Sequence, residues 1–171
     1  RRLEHSANTD ALTGIYNQRY FSAQIDREHR RAAASGLPLG LVMLDVDSFK
    51  SINDRFGHQA GDAVLCELAR IVRDTVGEKG LAARYGGEEF VVALPGLGEE
   101  NCLAVAEEIR RNVREHRFEV DGLPRQVRVS LGVAVFPQHA QDVAGLIKKA
   151  DQALYRAKET GKDKVVSASV L

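Results

Sequence analysis

The chain has 171 residues, 44% of them hydrophobic, which is enough for one domain with a core and too few for two comfortable ones. Lysine plus arginine and aspartate plus glutamate each number 24, so the chain as a whole has no net charge that would hold nucleic acid or an acidic membrane. Cys66 and Cys102 lack the spacing of a disulfide framework or metal site, which favours a reducing cytoplasm, and no apolar run is long enough to cross a bilayer.

The first third of the chain predicts a helix, a central strand and a polar connection. Residues 17–35 read as a helix that Gly36 and Pro38 close. The run LGLVMLDVD follows, which is typical of a strand buried on both faces, and Asp45 and Asp47 leave it on the same side of the pleat. The next segment, DSFKSINDRFGHQAGDAV, is a polar connection whose length is unusual unless it binds a ligand.

The rest of the chain alternates helices with strands. Helical spacing of apolar residues predicts helices over 62–76, 99–114 and from 143 to Gly161. LAARY and EEFVVAL flank Gly86-Gly87 and predict a hairpin with a two-residue primed turn, while 127–136 alternate as a half-buried strand. Short strands are expected at 118–120 and near Val165. We predict an α+β fold with a central, mainly antiparallel sheet flanked by helices.

Two pairs of acids lie next to the ends of apolar strands. Asp45 and Asp47 end the first strand, and Glu88 and Glu89 precede another. Oxygen ligands without cysteine or histidine favour Mg²⁺ or Mn²⁺, which commonly serve phosphoryl transfer. A single pair would be better explained as solvated acids or partners of Arg84, but two such pairs favour a shared divalent ion.

Other polar residues have both a ligand-binding and a structural interpretation. Gly86 and Gly87 allow an anion to approach the backbone closely, or simply form a turn. Asn53 and Asp62 suit a base edge, although each alone is more typical of a turn or a helix cap. Lys158 and Lys162 suit phosphate, or complement a helix dipole. None of the histidines has the spacing of a zinc or catalytic motif, and none is assigned a role. These five are His5, His29, His58, His116 and His139.

Five ordered segments together carry a family resemblance. They are DALTGIYNQRYF from Asp10, DVDSFKSINDRFGHQAGD from Asp45, RYGGEEF from Arg84, SLGVA from Ser130 and ADQALYRAKETGKDKV from Ala150. In this order they resemble the successive motifs of the GGDEF family of diguanylate cyclases, here in the GGEEF form. The resemblance extends from about Asp10 to Val165 and implies a βαββαβ core similar to the palm-like core of adenylyl cyclase catalytic domains.

The resemblance implies an activity and a set of site residues. Members of the family condense two GTP into cyclic di-GMP and two pyrophosphates with Mg²⁺ or Mn²⁺. Asp45, Glu88 and the Val46 carbonyl match metal ligands, Glu89 lies near them, and Glu88 is also the candidate base. The remaining positions match nucleotide-binding residues: Asn53 and Asp62 for guanine, Lys50, Lys158 and Lys162 for the triphosphate, with Lys50 as a catalytic group, and Phe49, Gly86 and Gly87 beside the nucleotide.

The resemblance also leads to expectations about partners and domain limits. Two nucleotides must face each other, so a C₂ homodimer is expected to be needed for catalysis. Residues 1–9 are expected to end a linker from an upstream sensor or receiver domain, and 10–171 to form the catalytic domain. The domain is expected to be cytoplasmic and to contact neither membrane nor nucleic acid, although the parent protein could be membrane-anchored.

The sequence departs from the family pattern at two places. The RxxD product-inhibition motif of many members is replaced by residues 77–80, Gly-Glu-Lys-Gly, so no inhibitory site is expected there. Lys162 stands where an arginine is usual, and lysine lacks the planar fork that grips phosphate with two bonds. Two alternatives stay open from the sequence: a catalytically inactive GTP-binding regulatory GGDEF module, and a structural interaction domain whose acids are only solvated.

Overall fold

The computed structural model describes residues 7–171 as five helices, seven strands and two short 3₁₀ turns. Helices α1 to α5 cover Gln18–Ser35, Phe49–Phe56, His58–Val76, Glu99–Glu115 and Val143–Glu159. Strands β1 to β7 cover Leu39–Val46, Leu81–Arg84, Glu89–Pro95, Phe118–Val120, Leu123–Arg125, Val129–Phe136 and Val165–Ser167. The 3₁₀ turns cover Gly77–Lys79 and Ala168–Val170.

The main sheet has five strands in the order β2-β3-β1-β6-β7, and β4 with β5 forms a separate hairpin. All neighbours in the main sheet are antiparallel except β6 and β7, which run parallel. Strand β1 lies at the centre, where it pairs with β3 on one side and β6 on the other. The predicted α+β class, the mainly antiparallel sheet and the βαββαβ order are therefore confirmed.

Helices cover both faces of the sheet, and the pleat of β1 divides its side chains between them. Val42 and Leu44 belong to the cluster that packs under α3 and α4. Leu41 and Met43 belong to the opposite cluster, under α1 and α5. Burial of apolar side chains on both faces fixes the register of β1, because a shift by one residue would exchange the two sets.

The polar connection predicted after β1 contains a helix, so that prediction is wrong in its local structure. Helix α2 forms because Phe49, Ile52 and Phe56 recur at helical spacing and pack toward the core, although the segment is otherwise polar. Gly57, with φ of 91°, then separates α2 from α3, which begins at His58 rather than at Asp62. The connection is thus two helices that join at one glycine.

Strand β6 is buried along its whole length, which differs from the predicted half-buried strand. Its valines and Leu131 face α3 and α4, as the alternation indicated. The other face carries small residues such as Gly132 and Ala134, and α5 packs directly on them. Small side chains look like a solvent-facing set in the sequence, but here they permit close approach of a helix.

Residues 1–6 of the predicted linker lie outside the described residues. Of the remainder, Ala7 accepts a hydrogen bond from the Asn17 side chain at 3.0 Å, and Asn8 accepts one from the Asn17 backbone at 2.9 Å. The assignment of residues 1–9 to a linker stays a prediction. Within residues 7–171, no helix combines the length and hydropathy needed to cross a membrane.

Candidate active site

The predicted acids converge where β1 ends and the β2–β3 hairpin begins. Asp45 lies directly opposite Glu89 in the antiparallel pair of β1 and β3, so the two side chains emerge on the same face of the sheet. That face is the one under α5. Glu88 is the last residue before β3, and its charge acts on the Asp45 carboxylate. Residues that are more than forty positions apart in sequence thus share one site.

Lys158 reaches this site from α5 and binds three of its oxygens. Its Nζ lies 2.9 Å from Asp47 Oδ1, 3.2 Å from the Val46 carbonyl oxygen and 3.3 Å from Asp45 Oδ1. The lysine side chain is largely buried, so its charge is only weakly screened by solvent. These oxygens therefore already stabilise one cation, the ammonium group of the protein itself.

Burial and neighbouring charges raise the pKa of two carboxylates of the site, Asp45 and Glu89. Burial raises the pKa of Asp45 to about 6, Lys158 opposes that shift, and the Glu88 and Glu89 carboxylates add to it. Burial also raises the pKa of Glu89, as do the nearby charges of Asp151 and Glu88. The cluster therefore holds more negative charge than Lys158 alone can offset, and it favours an additional cation.

Asp47 connects several segments around the site through hydrogen bonds, a role that the sequence did not assign to it. Its Oδ1 accepts hydrogen bonds from the Ser130 hydroxyl at 2.7 Å and from Lys158. Its Oδ2 accepts one from the backbone N–H of Asp163 at 2.9 Å. Asp47 thereby joins β1, β6 and the loop after α5. Its position two residues after Asp45 was the only sequence signal.

The hairpin turn is longer than predicted, and the prediction of a two-residue primed turn is wrong. The backbone N–H groups of Tyr85 and Gly86 both donate to the Glu89 carbonyl, and neither Gly86 nor Gly87 has a positive φ. The Arg84 side chain shapes this wider turn by donating to the carbonyls of Gly86 at 3.1 Å and Gly87 at 2.7 Å. Both glycines are exposed, so their backbone is open to a ligand.

Asp10 anchors Arg84, and sequence reasoning missed this contact. The carboxylate of Asp10 lies 3.1 Å from Arg84 Nη1 and accepts hydrogen bonds from the Thr13 backbone and hydroxyl at 2.9 and 2.7 Å. Arg84 in turn holds the turn that carries Glu88. The segment from Asp10 to Thr13 thus positions the hairpin without contacting the acid cluster, and only its place in the first matching segment signalled it.

The predicted guanine-binding residues lie on α2 and α3. Asn53 is half-buried, and its Oδ1 is buried without a hydrogen-bond partner. It lies against Gly61, where a Cβ would come within 1.9 Å of Asn53 Oδ1 and 3.1 Å of Phe49 Cζ. Asp62 follows Gly61 and is exposed. Both residues therefore adjoin Gly61, Asn53 by its side chain and Asp62 along the chain, and the missing Cβ of this glycine makes room for the amide.

The two other predicted phosphate-binding lysines lie outside the acid cluster. Lys50 is exposed on α2 and forms an ion pair with Asp54 at 2.8 Å. Lys162 is exposed in the loop after α5, where its Nζ lies 3.2 Å from the Ser48 hydroxyl. Neither lysine contacts Asp45 or Glu88 in the described structure. Their assignment to a triphosphate stays a prediction.

The acids suit a hard divalent cation by their chemistry. Asp45 Oδ1 is buried, and its contact with Lys158 at 3.3 Å is an ion pair without hydrogen-bond geometry, so a divalent ion could take over this oxygen if Lys158 moved to a phosphate. The donors are oxygens only, which fits Mg²⁺ or Mn²⁺. Within residues 7–171 no three acidic, histidine or cysteine side chains lie close enough together to hold a metal ion, and Lys158 occupies the space beside Asp45.

The chain matches a family model and curated proteins over nearly all its length. The model described as "Diguanylate cyclase, GGDEF domain" matches residues 7–164. The response regulator PleD of Caulobacter vibrioides is 40% identical over 169 residues, which are 96% of this chain and 37% of PleD. Diguanylate cyclase DgcM of Escherichia coli K12 is 40% identical over 167 residues, which are 98% of this chain and 40% of DgcM. The chain thus spans less than half of these relatives.

Solved structures agree with this match. The GGDEF domain of DgcB from Caulobacter crescentus, determined in complex with c-di-GMP, is 33% identical with a TM-score of 0.89, over 95% of this chain and 96% of that one. Diguanylate cyclase SiaD of Pseudomonas aeruginosa, in complex with its activator SiaC, is 35% identical with a TM-score of 0.90, over 97% of this chain and 64% of that one. The chain therefore belongs to the GGDEF domain family of diguanylate cyclases.

Proposed function

We propose that this domain condenses two GTP molecules into cyclic di-GMP and releases two pyrophosphates. The observation that supports the proposal most strongly is the convergence of Asp45, Glu88 and Glu89 at one end of the sheet, with a carboxylate pKa raised to about 6. A structural domain gains nothing from burying acids that repel one another, whereas a phosphoryl-transfer site uses them to hold cations. Because the chain covers only part of its relatives, the activity of the whole protein is part of the same proposal.

The nucleotide would lie between α2, the start of α3 and the hairpin. Asn53 and Asp62 would bind guanine, since a carboxylate accepts hydrogen bonds from two neighbouring N–H donors and an amide can either donate or accept one. Phe49 lies beside the same glycine as Asn53, Gly61. The exposed backbone of Gly86 and Gly87 would lie beside the nucleotide, and Lys50, Lys158 and Lys162 would bind its phosphates. The flexible side chain of Lys158 would let its ammonium group move from Asp47 to a phosphate oxygen.

Asp45, Glu88, Glu89 and the Val46 carbonyl would hold a divalent ion, Mg²⁺ or Mn²⁺. When bound, that ion supplies positive charge against the phosphate oxygens that gain negative charge during transfer. Glu88 would accept the proton of the 3′-hydroxyl of one nucleotide as the oxygen bonds to the α-phosphorus of the other. The bond from that phosphorus to the bridging oxygen breaks, and pyrophosphate leaves. Lys158 and Lys162 offset the charge of the leaving group.

A single domain holds one set of these residues, yet each 3′-oxygen must attack the other nucleotide. Two domains would therefore meet around a two-fold axis, each bringing one GTP. Control of this meeting by an upstream sensor or receiver domain is part of the proposal. The Gly-Glu-Lys-Gly segment at residues 77–80 offers no RxxD motif, so product inhibition through that position is not expected.

The decisive experiment measures cyclic di-GMP formation from GTP and Mg²⁺ by the wild type, Asp45→Asn and Glu88→Gln. Both variants keep the shape of the side chain and remove its charge. We expect each to lose about 100-fold or more in rate, the usual effect of removing a group that stabilises developing charge. Glu119→Gln, an exposed acid on β4, is the matched control and should keep wild-type activity.

The outcomes separate the candidate functions. Product from the wild type and its loss in both site variants, at unchanged circular dichroism, supports the cyclase. Metal-dependent GTP binding without product supports an inactive regulatory module. Equal activity of all four proteins would contradict the assigned roles of Asp45 and Glu88. Equal use of ATP would contradict guanine recognition by Asn53 and Asp62.

A further inference from the structure

A cavity adjoins the site, and of the cations that line it the proposed reaction uses only Lys162. It has a volume of about 640 Å³ and lies between α2, the β4–β5 hairpin and the loop after α5. We call it the arginine groove, defined by Arg55, Phe56, Arg125, Arg128 and Lys162. None of the predicted acids at 45, 88 and 89, nor the guanine residues at 53 and 62, lines it. It meets the candidate site only through Asp47, Ser48 and Lys162.

The groove carries cations that the described chain does not neutralise. The guanidinium groups of Arg55 and Arg125 lie 5.1 and 4.5 Å from the centre of the Phe56 ring. Among residues 7–171, neither arginine has a carboxylate within 4.0 Å, and neither has Lys162. Arg128 lies 4.0 Å from Asp163, which also binds Arg110 at 3.0 Å. The groove is thus lined by four cations and two acids, Asp47 and Asp163, so an excess of positive charge faces a concave surface on a chain with no net charge.

The backbone beside the groove is held in an unfavourable conformation. Ser48, Lys162 and Asp163 have φ of 56°, 63° and 47°, and they are three of the four non-glycine residues with positive φ in residues 7–171. The bond from the Asp163 N–H to Asp47 and the Arg110–Asp163 ion pair hold this geometry. Such strain persists where the surroundings enforce it, and it clusters at binding sites. The backbone that carries Ser48 and Lys162 is thus set in advance of any ligand.

We propose that the arginine groove is a second anion site that binds a compact polyphosphate, namely the pyrophosphate released next to it. Planar guanidinium groups bind phosphate oxygens with paired hydrogen bonds, and three arginines from separate elements can surround such an ion. Phe56 orients two of the guanidinium groups, which limits the entropy lost on binding. The claim that the bound anion is pyrophosphate released by the reaction rests on the proposed function. The claim that the groove binds an anion does not. Lys162 links the two sites.

The test measures binding of inorganic pyrophosphate by calorimetry, without metal and without nucleotide. Arg55→Gln with Arg128→Gln removes two exposed charges of the groove, and Arg27→Gln, an exposed arginine on α1, is the matched control. We expect the double variant to raise the Kd for pyrophosphate about tenfold or more, as the loss of charge-assisted bonds implies. Arg27→Gln should leave it unchanged. Arg125→Gln, made separately, should weaken binding as well.

Two further binding measurements test where pyrophosphate binds and whether the groove prefers it to a nucleotide. Lys50→Gln removes a proposed triphosphate contact that lies outside the groove, and it should weaken GTP binding and leave pyrophosphate binding intact. Joint loss would assign the anion to the phosphate-binding part of the nucleotide site instead. ATP should bind the groove more weakly than pyrophosphate, and equal groove-dependent binding of ATP would overturn the assignment to the leaving group. Unchanged pyrophosphate binding in the double variant, or equal weakening of that binding by Arg27→Gln, would contradict the proposal that the groove binds pyrophosphate. Because no product is measured, failure of the cyclase proposal is read independently, from the turnover assay.

Discussion

Gly61 decides where the Asn53 side chain lies, although it carries no functional group. Alanine normally stabilises a helix by about 1 kcal/mol relative to glycine, and Gly61 lies within α3. Here the added Cβ would come within 1.9 Å of Asn53 Oδ1, so the amide must move. We expect Gly61→Ala to raise the KM for GTP about tenfold, a typical loss for a misplaced polar contact, while the fold is retained.

Steady-state kinetics with GTP measures this effect. The control is Gly98→Ala, because Gly98 has φ of −82° and a Cβ there would meet nothing within 4 Å. That variant should behave like the wild type. An unchanged KM in Gly61→Ala would show that the position of Asn53 does not govern nucleotide binding.

Asp10 makes the stability of the hairpin depend on pH. Although partial burial alone acts to raise it, hydrogen bonds from Thr13 and the contact with Arg84 lower the pKa of Asp10 below its ordinary value of 3.8. The unfolded chain therefore takes up the proton first as the pH falls. The stabilisation is complete above pH 3.8 and is lost as the pH falls through the folded-state pKa.

Asp10→Asn removes the charge and should lower the free energy of unfolding by about 1.5–3 kcal/mol at neutral pH, the range for hydrogen bonds to charged groups. The difference from the wild type should vanish in acid, well below pH 3.8. Urea unfolding at several pH values measures it, with the exposed Asp26→Asn as control. A difference that persists unchanged into acid would contradict the assigned cause.

At the scale of residues, the sequence predicted the acids of the site better than the residues that hold the site in place. Asp45, Glu88 and Glu89 stand out because they border apolar strands, and cross-strand pairing then places two of them opposite each other. Asp10 and Asp47 act through contacts to residues 74 and 83 or more positions away, which no local pattern encodes. Recognising them requires the register of the sheet and the path of α5.

Among the elements, α5 depends on one glycine of β6 for its position. A Cβ on Gly132 would lie 2.2 Å from the Ala150 carbonyl oxygen and 2.3 Å from the Leu154 amide nitrogen. These are backbone atoms and cannot rotate away. Gly132→Ala should therefore destabilise the domain by about 1–3 kcal/mol or more, the range for overpacked cores, and shift the helix that carries Lys158. Thermal unfolding and the GTP turnover assay together detect both effects.

Gly40 provides the contrasting case. A Cβ there would meet Cys102 Sγ at 2.0 Å, which is a side-chain atom. Gly40→Ala should be destabilising alone and largely rescued by Cys102→Ala, whereas no single side-chain truncation should rescue Gly132→Ala. Rescue of both variants by truncation of a neighbour would show that α5 moves freely on the sheet.

The elements most visible in the sequence were those whose apolar pattern is local. The helices over 99–114 and from 143 onward and strand β1 follow directly from periodicity, and the structure confirms them. Helix α2 was missed because it has only eight residues, too few for a periodic signal to stand out from its polar background. The small residues of β6 were misread because close helix packing depends on the tertiary fold.

For the whole molecule, the proposed chemistry predicts a dependence on concentration. One chain offers one set of Asp45, Glu88 and Asn53, so a reaction between two bound nucleotides needs two chains. The 171-residue chain has no net charge, so mutual repulsion does not oppose such an encounter.

Below the dissociation constant of the dimer, the rate should rise with the square of the domain concentration, because the active species is a pair. The activity per domain should therefore fall on dilution and recover when two domains are fused to a dimeric coiled coil. Turnover measured over a dilution series, with sedimentation at the same concentrations, checks this. A constant activity per domain where sedimentation finds monomers would mean that one chain completes the reaction, and the two-fold arrangement would have to be abandoned.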